Sequence, residues 1–285
     1  MLDMVPVALA VVVGLLIGSF LNVVIHRLPL MMERQWQREA KAMLEDDGTA
    51  PAGDKSEEPA FNLCTPASRC PHCGHRIRWW QNIPLLSYAL LGGKCSQCKA
   101  GIGLRYPLVE LATGLLFGWC VHRFGVSVQA GAWCLFSALL LALALIDWDT
   151  TLLPDDLTYP LLWAGLLAST FGWTGVALHD SVVGAAAGYL ALWSIYWVFK
   201  LLTGKEGMGY GDFKLLAALG AWFGWQALVP IALISSVVGA IIGIAMKLSS
   251  KLREGGYVPF GPFLALGGFL VMLLGTSLID RLLHP

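Results

Sequence analysis

The sequence predicts an all-α polytopic membrane protein with about eight transmembrane helices. Hydrophobic residues make up 56% of the 285 positions and charged residues only 13%, whereas about 25% of a soluble domain is charged. The mean hydropathy is +0.66, so a water-soluble fold of this length could not bury its apolar surface. The formal net charge is zero, which gives no indication of a nucleic-acid partner.

Eight apolar runs approach the length of about 20 residues that a helix needs to cross a bilayer. The first is not expected to be a cleaved signal peptide, because Asp3 replaces a basic start and basic residues follow the run. The run at 213–225 is short and contains glycine, which makes it the least secure span. The predicted spans are 4–25, 107–121, 130–146, 157–172, 181–202, 213–225, 227–246 and 260–278.

The distribution of lysine and arginine predicts the orientation of these spans. If the N-terminus is outside, the cytoplasmic regions are 26–106, 147–157 together with 200–213, and 247–258. Apart from Arg123 and Arg281, these regions and their edges hold all of the 19 basic residues. Basic residues of the shorter regions agree with this orientation: Lys200, Lys205, Lys214, Lys247, Lys251 and Arg253.

This orientation predicts three parts in the chain. Residues 1–26 form the first transmembrane helix, 27–106 a large cytoplasmic loop, and 107–285 a membrane core of seven helices. Within the loop, residues 33–60 have a charged start with helical character and then an acidic tract that contains proline and glycine. We expect a solvated, flexible segment there.

The loop also contains two C-x2-C pairs, Cys70 with Cys73 and Cys95 with Cys98. Two such knuckles bring four thiolates into a tetrahedral site suited to Zn²⁺, and a reducing cytoplasm argues against disulfides. His72 and His75 are alternative ligands, but four cysteines already complete a site. A closed four-thiolate site leaves no position for a catalytic water, so we expect a structural metal that folds a subdomain over about 64–105.

The remaining cysteines fit no ligand spacing. Cys64 is expected to be a free thiol. Cys120 and Cys134 fall in apolar runs, where packing is the simplest interpretation.

Acidic residues beside apolar runs are the main candidates for chemistry, because ionisable groups are costly at bilayer depth. Asp147 directly follows an apolar run, and Asp149, Asp155 and Asp156 lie close behind it. Capping at the membrane interface is the alternative interpretation of the last three.

Asp212 follows alternating glycines at the predicted start of a helix. The glycines, Gly207, Gly209 and Gly211, permit close backbone approach and unusual dihedral angles. Their spacing matches neither a phosphate-binding loop nor a dinucleotide fingerprint.

Two carboxylates brought together at the cytoplasmic edge can share one proton, which is aspartic-protease chemistry. A second hypothesis is a proton- or cation-coupled transporter that uses Asp147, Asp149 and Asp212. A third is a non-catalytic assembly protein that docks partners on its zinc loop. Transporters more often place acids near the midplane and contain internal repeats, and no convincing repeat is present here.

The residues resemble those of one family along most of the chain. Gly209–Asp212 resembles the GxGD signature of intramembrane aspartyl proteases, and GKEGMGYGDFKLLA is similar to type IV prepilin leader peptidases. Further segments resemble that family in the same order: 18–29, the double C-x2-C insert, 93–114, 146–155 and 259–267.

The resemblance implies a multi-pass enzyme of the bacterial inner membrane. It implies cleavage of the short basic leader of prepilins and pseudopilins on the cytoplasmic side, and N-methylation of the new N-terminus with S-adenosylmethionine. Carried over to this sequence, Asp147 and Asp212 are the catalytic pair, with Asp149 as the alternative partner. Cys70, Cys73, Cys95 and Cys98 match the family's tetracysteine motif.

A prepilin presents a basic leader followed by an apolar helix that can lie in the bilayer. We hypothesise that acidic residues at the membrane edge attract the leader: Asp149, Asp155, Asp156 and Glu206. The S-adenosylmethionine site is not predicted, because no glycine-rich strand–turn–helix is present. Polar residues near the span ends receive no firm role: Asn22, His26, Arg27 and Glu110.

Overall fold

The computed structural model describes residues 4–46, 61–249 and 258–275. Regular structure in these ranges is helical, with two isolated β-bridges, which confirms the prediction of an all-α protein. The α-helices are α1 (Met4–Asp46), α2 (Leu86–Leu90), α3 (Arg105–Phe124), α4 (Val128–Thr150), α5 (Asp155–Thr170), α6 (Leu178–Thr203), α7 (Tyr210–Phe223), α8 (Leu228–Leu248) and α9 (Gly261–Leu274). The predictions made for the acidic tract at 47–60 and for Lys251, Arg253 and Arg281 lie outside the described residues.

Each of the eight apolar runs corresponds to one helix, α1 or one of α3 to α9. Among the described residues, four segments are long and apolar enough to cross a membrane: Met4–Leu44, Val128–Thr150, Leu178–Thr203 and Trp225–Leu248. A shorter apolar helix covers Gly261–Leu274. The 14 residues of α7 extend only about 21 Å, less than the hydrocarbon core of about 30 Å.

Helix α1 continues well beyond the predicted end of the first span near residue 26. It has 43 residues and contains Pro29, and it extends about 65 Å. The sequence after residue 30 is rich in Glu, Gln, Arg, Lys, Ala and Met, which are favourable in helices. The helix therefore has an apolar first half and a polar second half.

The chain divides into two compact units, Met1–Gly118 and Trp119–Pro285. In the first unit, α1 and α3 pack antiparallel across small residues. A Cβ atom on Gly14 would lie 2.8 Å from the Cα of Gly114, and one on Gly18 would lie 2.7 Å from the Cα of Glu110. Close approach through glycine is typical of membrane helix pairs, which have little hydrophobic driving force between them.

In the second unit, α7 is the central helix although it is short. Its side chains from Phe213 to Phe223 are buried almost without exception. Gly220 of α7 meets Gly184 of α6 backbone to backbone, and the indole N–H of Trp222 donates to the carbonyl of Leu161 in α5 at 2.8 Å. These contacts position α7, whose first turn contains Asp212.

Candidate active site and metal centre

Asp147 lies in the last turn of α4, with only 4% of its surface exposed. Its Oδ2 atom accepts a hydrogen bond of 2.9 Å from the backbone N–H of Gly261, the first residue of α9. The N-terminus of a helix carries partial positive charge and unpaired N–H groups. The start of α9 therefore orients one carboxylate oxygen and stabilises negative charge on it.

Asp212 lies in the first turn of α7 and has 7% of its surface exposed. Gly209 caps this helix with extended backbone, and the Asp212 N–H donates to its carbonyl at 3.3 Å. The carboxylates of Asp147 and Asp212 are close enough to interact electrostatically. The structure thus brings the two acids from separate apolar runs into one buried site.

Leu153 forms a wall of this site between the two helix starts. A Cβ atom on Gly211 would lie 2.7 Å from the Cβ of Leu153, and one on Gly261 would lie 2.6 Å from the Oδ2 of Asp147. Both positions therefore require glycine because of close approach, not because of unusual dihedral angles, since neither residue has positive φ. Sequence reasoning identified the segment at 259–267 but assigned Gly261 no contact, and it did not identify Leu153.

The remaining acids near the pair are exposed. Asp149 is two residues beyond Asp147, which places it about 200° around the helix, and it faces outward. Asp155 was a candidate helix cap, but the N-cap of α5 is Pro154. The Asp155 carboxylate instead pairs with Lys214 Nζ at 2.7 and 2.9 Å, so it links the first turns of α5 and α7.

Glu206 is also paired within the chain. Its Oε1 atom accepts a hydrogen bond of 2.8 Å from Lys200 Nζ, and this bond holds the pKa of Glu206 below its ordinary value. Two of the four acids expected to attract a basic leader, Asp155 and Glu206, therefore already have a cationic partner. Asp156, like Asp149, is exposed at this end of the unit.

In the other unit, the four cysteines of the two C-x2-C pairs form one cluster. The sulfur atoms of Cys70, Cys73, Cys95 and Cys98 all lie within 4.8 Å of one another. The sulfurs of Cys70 and Cys98 are 3.8 Å apart. Four ligands at the usual Zn–S distance of about 2.3 Å give tetrahedral edges of about 3.8 Å, so the cluster could hold such a metal ion.

The two knuckles have the same backbone geometry. Cys70 N–H donates to the carbonyl of His75 and Cys95 N–H to that of Ala100, at 2.9 and 2.8 Å. Each knuckle has positive φ at the residue after its second cysteine, Gly74 with 70° and Lys99 with 59°. Backbone N–H groups of Cys98 and Gln97 lower the pKa of the Cys95 thiol to about 6, whereas burial and the neighbouring thiols raise that of Cys98 to about 11. Cys95 therefore ionises first, and the thiolates together need the positive charge of a metal.

The polar residues near the span ends in this unit link its elements together. Asn22 donates to the carbonyls of Gly18 and Tyr106. Arg27 donates to the carbonyls of Asn62 and Pro66 at 2.9 and 2.7 Å. Glu110 accepts from Leu85 N–H at 2.9 Å. Their hydrogen bonds are structural, and they give no indication of a methyl-donor site.

The other cysteines have the environments expected from sequence. Cys64 is exposed and carries a free thiol. Cys120 is fully buried, and Cys134 is partly buried.

Comparison with known proteins matches both halves of the chain. Residues 12–124 match the Bacterial Peptidase A24 N-terminal domain, and residues 134–244 match the Type IV leader peptidase family. The "Prepilin leader peptidase/N-methyltransferase" of Stutzerimonas stutzeri is 58% identical, with 94% of this chain and 91% of that protein covered. Proteins of the same name from Pseudomonas aeruginosa and Aeromonas hydrophila are 56% and 53% identical, covering 94% and 93% of this chain and 90% and 89% of their own lengths. No solved structure matches the chain.

Proposed function

We propose, because the chain belongs to the type IV leader peptidase family, that it cleaves the leader of prepilins and pseudopilins and N-methylates the new N-terminus. Asp147 and Asp212 are the catalytic pair of the cleavage. The observation that carries this assignment is the meeting of two buried carboxylates from separate apolar helices in one site. Asp149 is the weaker candidate, because it is exposed beside a buried Asp147.

The two carboxylates share one proton, because like charges cannot both ionise cheaply at close range. The ionised carboxylate removes a proton from a water molecule, whose oxygen attacks the carbonyl carbon of the scissile peptide bond. The protonated carboxyl donates a hydrogen bond to the carbonyl oxygen. A proton then passes to the departing nitrogen, the C–N bond breaks, and a carboxylic acid and an amine remain.

The N–H of Gly261 is well placed to favour Asp147 as the ionised member. It donates to Oδ2 of that residue, and a hydrogen bond to the charged form stabilises that form. We therefore assign Asp147 as the base that activates water and Asp212 as the acid that polarises the carbonyl.

The eight predicted spans, with the loop at 27–106 in the cytoplasm of a bacterial cell, are part of the same proposal. In this orientation the ends of α4 and α6 and the starts of α5 and α7 lie at the cytoplasmic edge of the inner membrane. A basic leader followed by an apolar helix can enter from this edge, with its helix in the bilayer and its scissile bond level with the acids.

The four cysteines would hold Zn²⁺, and a closed thiolate site of this kind contributes folding energy. The metal would close two knuckles that otherwise depend on a few backbone hydrogen bonds. S-adenosylmethionine is the methyl donor that the methylation requires, and no residue is assigned to its site. The transporter hypothesis receives no support, because the relatives are named as peptidases and methyltransferases.

The test uses the full chain in membranes with a prepilin that carries its leader and S-adenosylmethionine as methyl donor. Mass spectrometry of the pilin then reports removal of the leader and addition of one methyl group in the same spectrum. The family resemblance implies cleavage after a glycine, so a prepilin in which that glycine is replaced by a bulky residue is the matched control. We expect the natural prepilin to lose its leader and gain a methyl group, and the control prepilin to stay intact. A natural prepilin that stays intact although the enzyme is well expressed would contradict the proposal.

A further inference from the structure

A partly buried hydrogen bond holds the segment 79–90 beside the start of α3. Glu110, on the second turn of α3, accepts the backbone N–H of Leu85 at 2.9 Å. Leu85 has φ +56° and ψ −44°, and the N–H that follows it bonds back to the carbonyl of Pro84. This is a γ-turn with positive φ, a rare and strained conformation that the Glu110 carboxylate stabilises.

The hydrogen bond between Leu85 and Glu110 determines how deep this segment lies relative to the membrane. Residue 110 belongs to the apolar run 107–121, so it lies just inside the predicted span. A segment bonded to it lies at the level where α3 enters the bilayer, which is the headgroup region. This step depends on the proposal that α1 and α3 cross the membrane.

The same segment exposes large apolar side chains. Trp79 is 78% exposed, Trp80 45%, Leu86 53% and Leu90 78%. Leu86 and Leu90 are four residues apart and share one face of α2. Exposed tryptophan and leucine are costly in water but favourable at a membrane interface, where tryptophan places its ring among the headgroups.

The charged side chains of the segment and its flanking sequence, residues 61–105, are all basic. Residues 61–105 contain six basic residues and no aspartate or glutamate. The guanidinium of Arg78 lies 5.1 Å from the ring centroid of Trp80, so basic and aromatic groups are adjacent. This combination is complementary to an anionic lipid surface and would repel a basic leader peptide.

We propose that residues 76–90 form an interfacial element that binds anionic phospholipid headgroups, with Trp79, Trp80, Leu86 and Leu90 inserted at the boundary of headgroups and acyl chains. Arg76 and Arg78 contact the lipid phosphates. The element would hold the tetracysteine subdomain on the membrane surface.

The first test measures lipid contact directly. The full chain is reconstituted in vesicles of phosphatidylcholine and phosphatidylglycerol, with acyl chains either brominated near the headgroup or unmodified. Bromine quenches nearby tryptophan, so the difference between wild type and the double variant Trp79→Phe/Trp80→Phe isolates these two residues among 12 tryptophans. The difference spectrum, wild type minus double variant, should be much weaker in brominated lipid than in unmodified lipid. Equal difference spectra in the two lipids would overturn the proposal.

The second test measures lipid charge. Purified Arg76→Gln/Arg78→Gln protein is compared with Lys41→Gln, which removes an exposed charge on the polar part of α1. Native mass spectrometry reports retained phosphatidylglycerol, and metal content shows that the knuckles are intact. Retention should fall about five-fold for each arginine and remain unchanged in the lysine variant. Equal retention in all proteins, or shielding of Trp79 and Trp80 by a prepilin and not by lipid, would contradict the proposal.

Discussion

Gly261 and Asp147 are in direct contact, with the glycine N–H bonded to the carboxylate at 2.9 Å and no space for a side chain between them. The contact joins residues 114 positions apart and connects the start of α9 to the end of α4. Glycine is therefore required at 261 by its contact with the Asp147 carboxylate.

Replacement of Gly261 by alanine should lower cleavage by about 100-fold, because displacing a reacting group by about 1 Å costs this much. The added Cβ would lie 2.6 Å from Oδ2 of Asp147, so the carboxylate or α9 must move. Prepilin cleavage rates at matched expression measure the effect. Gly243→Ala is the control, since its Cβ would have a single neighbour at 3.7 Å; comparable activity of both variants would contradict the contact.

Two glycines of the GYGD run should differ in their tolerance of alanine. At Gly211 the new Cβ would lie 2.7 Å from Leu153, whereas at Gly209 its nearest neighbour is Asp212 Oδ2 at 3.9 Å. Overpacking costs about 1–3 kcal/mol, so Gly211→Ala should unfold at lower temperature than Gly209→Ala and lose more activity. The contacting atom is the Cβ of Leu153, so the matching change is Leu153→Gly. Gly211→Ala should cost less stability in the Leu153→Gly background than in the wild type, and an equal cost in both backgrounds would place the clash elsewhere.

The Asp155–Lys214 ion pair should contribute modestly to the free energy of unfolding by linking α5 to α7. The side chains are 49% and 26% exposed, and pairs of this kind contribute about 0.2–1 kcal/mol. A double-mutant cycle of Asp155→Asn and Lys214→Gln, measured by thermal unfolding, should give a coupling in this range. Asp156→Asn serves as the control for charge removal at the same helix start. A coupling of zero would show that the pair does not hold the two helices together.

The tetracysteine cluster should bind one zinc ion per chain. Cys95→Ser should release the metal, because three thiolates and a hydroxyl form a weaker site, while Cys64→Ser should retain it. Elemental analysis of the purified protein provides the metal count. Because the cysteines and the aspartates belong to different compact units, loss of metal should leave most of the cleavage activity. Full zinc content in Cys95→Ser would contradict the ligand assignment.

Hydropathy and ligand spacing were sufficient to predict the helices and the cysteine cluster. A run of apolar residues forms a helix in a bilayer because its backbone groups have no other partners, so eight runs correspond to eight helices. The C-x2-C spacing fixes two knuckles locally, and only their pairing is a long-range feature. A helical start was expected near residue 33, but its continuity with the first span was not predicted, because polarity marks the end of a span and not the end of a helix.

The detailed geometry of the site could not be predicted, because it depends on long-range contacts. Asp147 and Asp149 have the same side chain and lie in the same helix. Only the packing of α4 buries Asp147 and exposes Asp149. The contact of Gly261 with Asp147 and the pairing of Asp155 with Lys214 involve residues far apart in sequence. The γ-turn at Leu85 depends on Glu110 in a later helix, so no local pattern indicates it.

The central claim is that Asp147 and Asp212 together cleave the substrate. The measurement that tests it compares prepilin cleavage by wild type with cleavage by Asp147→Asn, Asp212→Asn and Asp149→Asn at equal membrane expression. The account predicts no product from Asp147→Asn or Asp212→Asn and near-normal product from Asp149→Asn. Cleavage by either of the first two variants, or loss of cleavage confined to Asp149→Asn, would contradict the assignment of the pair.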